Sequence, residues 1–170
     1  MSSAFFEAQV GAKFQPQVKA DARTRIAFVC IGNACRSQMA EAWVRHRAVE
    51  GIEAVSAGLT PLGYITPETA QVMKEKHASV DGQQSKGLEA IDWKQVDVLV
   101  NMTFMPVRSV VPGFSGRRVE WRVPDPFQGS LRTYRRVRDL LERRVNKLIV
   151  ELKQDSGGGS TSAPESGSKN

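Results

Sequence analysis

Short apolar segments at 25–29, 53–56, 96–101 and 118–121 alternate with helix-like segments at 37–49, 67–78, 104–110 and 130–153. Strands that are mostly apolar and separated by helices are buried on both faces. The alternation therefore predicts an α/β fold, a doubly wound parallel sheet with helices on both sides. Thr66-Pro67 reads as a helix start with proline at the first helical position, and Ser130 is placed to cap the last helix. A chain of 170 residues suits one such domain, here residues 25–153. A polar, weakly patterned extension over 1–24 precedes it. A Ser/Gly-rich tail over 154–170 follows, and its composition predicts disorder.

Doubly wound sheets bind ligands beyond the carboxyl ends of their strands. The first strand delivers there the run Cys30-Ile31-Gly32-Asn33-Ala34-Cys35-Arg36-Ser37, which opens directly into a helix. A helix N-terminus gathers unpaired N–H groups and positive dipole charge, so it holds anions and favours a thiolate. Arg36 adds a planar fork of donors suited to a tetrahedral oxyanion. A nucleophile and an anion clamp in one loop point to covalent phosphoryl transfer. Neither the nucleotide P-loop pattern nor the dinucleotide Gly-x-Gly-x-x-Gly pattern occurs.

Composition removes several other classes. With 41% apolar and 25% charged residues the chain resembles an ordinary soluble protein, and no apolar run approaches membrane-spanning length. Two Cys five positions apart make no disulfide framework, and no Cys/His cluster has zinc spacing. A reducing cytoplasm is the expected compartment. The net charge of +6 comes largely from Arg132, Arg135, Arg136, Arg138, Arg143, Arg144 and Lys147. These are interleaved with Leu131, Tyr134, Val137, Leu141, Val145 and Leu148, and the pattern reads as the wet face of an amphipathic helix. Neither nucleic acid nor a membrane is an expected partner.

A thiolate that attacks phosphorus also needs a proton donor for the leaving oxygen. Val123-Pro124-Asp125-Pro126-Phe127 supplies a carboxyl group just after the last strand, its backbone restrained by proline on both sides.

Four separated motifs carry a resemblance: Val29 to Ser37, Met39-Ala40-Glu41, Ser56-Ala57-Gly58 and Asp125-Pro126. In that order they resemble the low molecular weight protein tyrosine phosphatase family and its arsenate reductase relatives, from Arg25 to about Lys153. The resemblance implies a four-stranded parallel sheet of phosphatase I-like type and a phosphocysteine mechanism without metal or other cofactor. Cys30 would be the nucleophile, Arg36 the bidentate clamp and Asp125 first the acid, then the base. Ser37 would hydrogen-bond the thiolate and Asn33 would hold the loop. Backbone N–H groups of Ile31, Gly32, Asn33, Ala34, Cys35 and Arg36 would cradle the phosphate. Phe127 and Tyr64 would line the substrate pocket, and Cys35 would pair with Cys30 under oxidation.

The resemblance covers two activities. Phosphatases of the family act on phosphoproteins, phosphotyrosine above all, or on small phosphoesters. Reductases take arsenate into the same loop. Phe127 after Asp-Pro favours the phosphatases; Gln38, where they more often carry Pro, favours the reductases. No Cys follows Cys35, which argues against a thioredoxin-coupled relay and leaves a reductase served by a low-molecular-weight thiol or glutaredoxin. Asn101 and Thr103 stand near where many phosphatases carry Asp, and Gln128 stands where a second aromatic often follows. The sequence thus reads as a phosphomonoester hydrolase, a protein-tyrosine phosphatase in its narrower form. Arsenate reductase is the first alternative and a non-catalytic oxyanion-binding module the second.

Overall fold

The computed structural model describes residues 23–157. Four parallel strands, β1 (Thr24–Cys30), β2 (Ile52–Gly58), β3 (Val98–Asn101) and β4 (Arg117–Glu120), form one sheet in the order β2-β1-β3-β4. The α/β fold and the four-stranded parallel sheet are as the sequence predicts. β1 is central, paired with β2 from Thr24↔Ile52 to Cys30↔Gly58 and with β3 from Ile26↔Val98 to Val29↔Asn101. That register sets Cys30 at the carboxyl edge, between its neighbours.

Period-two alternation divides β1 between two cores. Ile26 and Phe28 face α1 (Arg36–Arg47), α2 (Pro67–Lys74) and α4 (Leu131–Gly157), where Trp43, Met73, Tyr134 and Leu141 fill the larger cluster. Ala27 and Val29 face the smaller cluster with Leu99, Val110 and Phe114. It is roofed by two single helical turns at Leu88–Ala90 and Trp93–Gln95 and by α3 (Val107–Val110). Both faces are covered, but the long helices share one of them.

Element ends differ from the sequence reading for local reasons. The segment expected to be helical to residue 78 leaves the helix after Lys74, because His77 turns left-handed (φ 60°) and sends Ala78 into the core. Of 104–110, only Val107–Val110 is helical, since Phe104 is left-handed (φ 65°) and Pro106 begins the helix. α4 runs to Gly157, four residues into the tail that composition marks as disordered. Buried Leu152, Ser156 Oγ donating to its carbonyl at 2.9 Å, and Asp155 3.5 Å from Arg117 carry the helix onward. Residues 158–170 and 1–22 lie outside the described residues, and with them most of the expected tail and extension. Thr66 and Ser130 cap α2 and α4 as expected, accepting from the Thr69 and Thr133 N–H groups.

Candidate active site

The loop between β1 and α1 is held from outside through its carbonyls. Leu59, Thr60 and Leu62 N–H donate to the carbonyls of Cys30, Ile31 and Gly32 at 3.1, 2.9 and 2.9 Å. Gln38 Nε2 reaches the Asn33 carbonyl, Thr66 N–H that of Ala34, and Met39 N–H that of Cys35. Every carbonyl from residue 30 to 35 is thus turned outward and satisfied. No backbone N–H of residues 31–36 donates to a backbone carbonyl among the described residues. Successive amides with outward carbonyls form an anion-binding nest at the start of α1.

Asn33 makes this shape possible. It is fully buried and left-handed (φ 46°), a conformation that Asn tolerates better than most residues. Its Oδ1 accepts from Lys86 N–H at 2.8 Å and Gln38 Nε2 at 3.0 Å. Its Nδ2 donates to Ser37 Oγ at 2.8 Å and Ser56 Oγ at 3.0 Å. Those two donations set the direction of the network. The Ser37 hydroxyl proton is free to point to Cys30 Sγ, 2.9 Å away, and that of Ser56 to Glu41 Oε2 at 2.5 Å. Burial pushes the Glu41 carboxyl above its ordinary range, against the Ser56 hydrogen bond and the charges of Lys86 and Arg45. At Gly58 the loop passes so close that a methyl group would sit 2.7 Å from the Ile31 carbonyl oxygen and 2.8 Å from Asn33 N.

Arg36 is almost completely buried. Its Nη1 donates to the carbonyls of Met102 (2.8 Å) and Val123 (3.3 Å), and its Nη2 to Asp125 Oδ2 (2.9 Å). Its Nε is buried and finds no acceptor among the described residues. A buried guanidinium donor without a partner costs free energy unless an anion serves it. The Asp125 side chain is 46% exposed, and its Oδ1 accepts from Phe127 N–H at 3.2 Å, an Asp turn between the two prolines.

These groups surround a cavity of about 200 Å³ lined by Cys30, the loop, Arg36, Asp125 and Phe127. Phe127 is in the lining, beside Cys30 and Asp125. Tyr64 is not in the lining; the second wall is Leu62, with Thr60, and Tyr64 is exposed further along the same loop. Gln128 is exposed in a left-handed turn and stays outside the lining. Cys35 lines the cavity, yet its Sγ lies 3.5 Å from both Thr66 Oγ1 and Tyr134 OH. Burial raises its thiol pKa, partly offset by those hydroxyls. Asn101 and Thr103 build the next loop: Asn101 Oδ1 accepts from Thr103 N–H and Oγ1–H. Among the described residues no group of three or more His, Cys, Asp or Glu could hold a metal ion, and no helix is long and apolar enough to cross a membrane.

Sequence reasoning assigned no role to Glu41, Ser56, Gln38 or Leu62 in this arrangement. Glu41 and Ser56 lie inside quoted motifs, but their pairing joins α1 to β2. Leu62 sits in a loop with no periodicity to say which side chain turns inward.

A parallel sheet whose central strand hands a thiol to an amide nest, with an arginine served on all but one nitrogen among the described residues, defines a class of enzymes acting on oxyanions. More narrowly, the chain belongs to the low molecular weight phosphotyrosine protein phosphatase family, whose model matches residues 25–157. The protein-arginine-phosphatase of Bacillus subtilis is 31% identical over 147 residues, covering 76% of this chain and 97% of the relative. The glutaredoxin arsenate reductase of Synechocystis sp. is 29% identical over 130 residues, covering 75% and 98%. Among solved structures, an arsenate reductase in the phosphate-binding state superimposes with a TM-score of 0.69 at 29% identity, covering 75% of this chain and 98% of that one.

Proposed function

We propose that this protein hydrolyses phosphomonoesters through a phosphocysteine intermediate, with aryl phosphates such as phosphotyrosine as the best-fitting substrates. The observation that carries this reading is Asp125 bound to Arg36 Nη2 beside Cys30, in one cavity. An incoming phosphate dianion competes with Asp125 for that guanidinium. As it takes Nη2 and the unpartnered Nε, Oδ2 of Asp125 is released at the mouth, where the leaving oxygen lies.

The released Asp125 carboxylate takes a proton from solvent, the Cys30 thiolate attacks phosphorus, the bond to the ester oxygen breaks, and Asp125 passes that proton to the leaving oxygen. In the second step the Asp125 carboxylate takes a proton from water, whose oxygen attacks phosphorus. The S–P bond breaks, and inorganic phosphate leaves with the thiolate restored. Ser37 O–H stabilises sulfur both as attacking thiolate and as leaving group, and the loop amides and Arg36 stabilise the equatorial oxygens. Leu62, Phe127 and Ile31 offer apolar walls to an aryl ring.

A second reading, arsenate reduction resolved by a low-molecular-weight thiol or glutaredoxin, is supported by the Synechocystis relative and by Gln38. One assay set separates them: p-nitrophenyl phosphate and phosphotyrosyl and phosphoarginyl peptides, against arsenate-dependent glutathione oxidation with glutaredoxin. Cys30→Ser should abolish ester hydrolysis. Asp125→Ala should lower kcat by about 10²–10⁴ for poor leaving groups, with a phosphocysteine trapped on acid quench. Arsenate turnover without hydrolysis of any phosphate substrate overturns the proposal in favour of the reductase. Oxyanion binding without either turnover leaves a non-catalytic module.

A further inference from the structure

Beyond the catalytic cavity, the loop after β3 displays two large apolar side chains to solvent. Phe104 is 60% exposed and Met105 49%. Phe104 also holds a left-handed backbone (φ 65°), which is costly for a bulky residue without local hydrogen bonding of its own. The loop is not slack. Asn101 Nδ2 donates to the Met105 carbonyl at 2.7 Å, Thr103 N–H and Oγ1–H donate to Asn101 Oδ1, and Met105 N–H donates to Thr103 Oγ1 at 3.1 Å. Arg36 anchors the preceding carbonyl, that of Met102. Strain and exposed apolar area are thus held in place by a braced turn, the pattern expected where a surface is kept ready for a ligand.

Phe104 and Met105 form one side of a hollow of about 280 Å³, closed by Pro106, Trp121, Glu120 and Arg122 at the carboxyl ends of β3 and β4. Trp121 is held there by its N–H to the Asn101 carbonyl (2.9 Å) and by its ring on Phe28, 5.8 Å between centroids. Glu120 is engaged, accepting from Val107 N–H at 3.0 Å. Phe104, Met105, Pro106 and Trp121 give the hollow its apolar walls, Asn101 and Arg122 complete it, and the space is below that of a drug-sized ligand site, about one large side chain. The hollow lies next to the candidate catalytic cavity: the Phe104 ring on its wall is 5.6 Å from the Arg36 guanidinium carbon. An extended peptide advances about 3.3 Å per residue, so a side chain one or two positions from a phosphate held on Arg36 reaches it.

We propose that Phe104, Met105 and Trp121 form a second subsite that takes an aromatic or aliphatic side chain within two residues of the phosphorylated one in a protein substrate. The inference rests on the phosphatase reading and adds the sequence context that the enzyme selects. Apolar pockets discriminate by about tenfold or more per large side chain.

The test is kcat/KM on phosphotyrosyl peptides differing only in Leu or Ser at each of the two positions before and after the phosphotyrosine. In the wild-type chain at least one position should show a Leu-over-Ser preference of about tenfold. Met105→Ser and Phe104→Ser should each bring that ratio close to one. Because the ratio is internal to each variant, loss of Arg36 positioning in Phe104→Ser does not imitate the effect. Equal rates on all peptide pairs, or a preference that survives both substitutions, overturns the inference while leaving the phosphatase reading intact. A Met105→Ser chain that changes oligomeric state by sedimentation with its preference unaltered assigns the face to a second copy and also overturns it. If the wild type hydrolyses p-nitrophenyl phosphate but none of the peptides, the subsite falls and the phosphomonoester reading stands; if it hydrolyses neither these nor phosphoarginyl peptides, both fall.

Discussion

Replacing Asn33 by Ala tests whether the loop is a built device or a local accident of sequence. The substitution removes four side-chain hydrogen bonds, to Ser37, Ser56, Lys86 N–H and Gln38. Lys86 N–H is left without its acceptor, a loss of about 1–3 kcal/mol. Ser37 and Ser56 each lose one donor but keep Cys30 and Glu41 as partners, so each forfeits about 0.5–1 kcal/mol. Gln38 retains the Asn33 and Gln84 carbonyls and loses little. Alanine at φ 46° adds about 1 kcal/mol of backbone strain. The sum is about 3–6 kcal/mol, a large fraction of the 5–15 kcal/mol typical of a whole domain. Urea unfolding followed by tryptophan fluorescence measures it, and the melting temperature should fall by about 10–20 °C. Asn33→Gly, which loses the same bonds but accepts the backbone angle, should recover part of the loss. With Asn33 gone the Ser37 hydroxyl is no longer steered to sulfur, so kcat on p-nitrophenyl phosphate should drop by about tenfold or more. A destabilisation under about 1 kcal/mol together with unchanged kcat refutes the reasoning.

Further outcomes follow from single groups. Burial raises the Glu41 carboxyl pKa in the folded state, so the folded chain holds that proton longer than the unfolded one. Its contribution to stability is full below the ordinary carboxylate range and is lost as pH rises through the raised value. The stability of Glu41→Gln relative to wild type should therefore improve as pH rises from about 4, and a difference constant with pH in urea titrations would exclude this. Glu75 behaves oppositely. Arg135, and then Arg138, hold its carboxyl down at about 2, so its contribution is present above the ordinary range and fades as pH falls toward 2. Glu75→Gln should flatten acid unfolding in that window, as read by circular dichroism. For Cys35, peroxide converts Cys30 to a sulfenic acid, which the Cys35 thiol displaces as water to form the disulfide. Cys35→Ser should then recover activity more slowly on adding thiol reductant, and unchanged recovery ends the redox role.

The candidate loop could be read from the chain because it is local. Cys30 to Ser37 are contiguous, and a strand running directly into a helix leaves such a loop few paths. Asp125 was legible for a related reason, since flanking prolines fix its backbone whatever surrounds it. Boundaries were less legible where a single left-handed residue decides them. His77 and Phe104 carry no mark in sequence that distinguishes them from helical residues. The end of α4 escaped composition because Asp155 and Ser156 are stabilised by Arg117 and the Leu152 carbonyl, partners that composition does not show.

Apolar strand runs, their alternation with helices and the order of motifs determined the fold class and the carboxyl-edge location, and pointed to Cys30, Arg36 and Asp125 as the candidate reactive groups. These rest on interactions between residues close in the chain or on covalent restraint. Only the tertiary structure decided that Leu62 rather than Tyr64 faces the cavity, that Glu41 and Ser56 terminate the hydrogen bonds begun at Cys30, and that Phe104 stands in solvent over Arg36. Each of those depends on which loop reaches which strand end across tens of residues. A loop's inward side is set by its neighbours in space, and no periodicity along the chain records them.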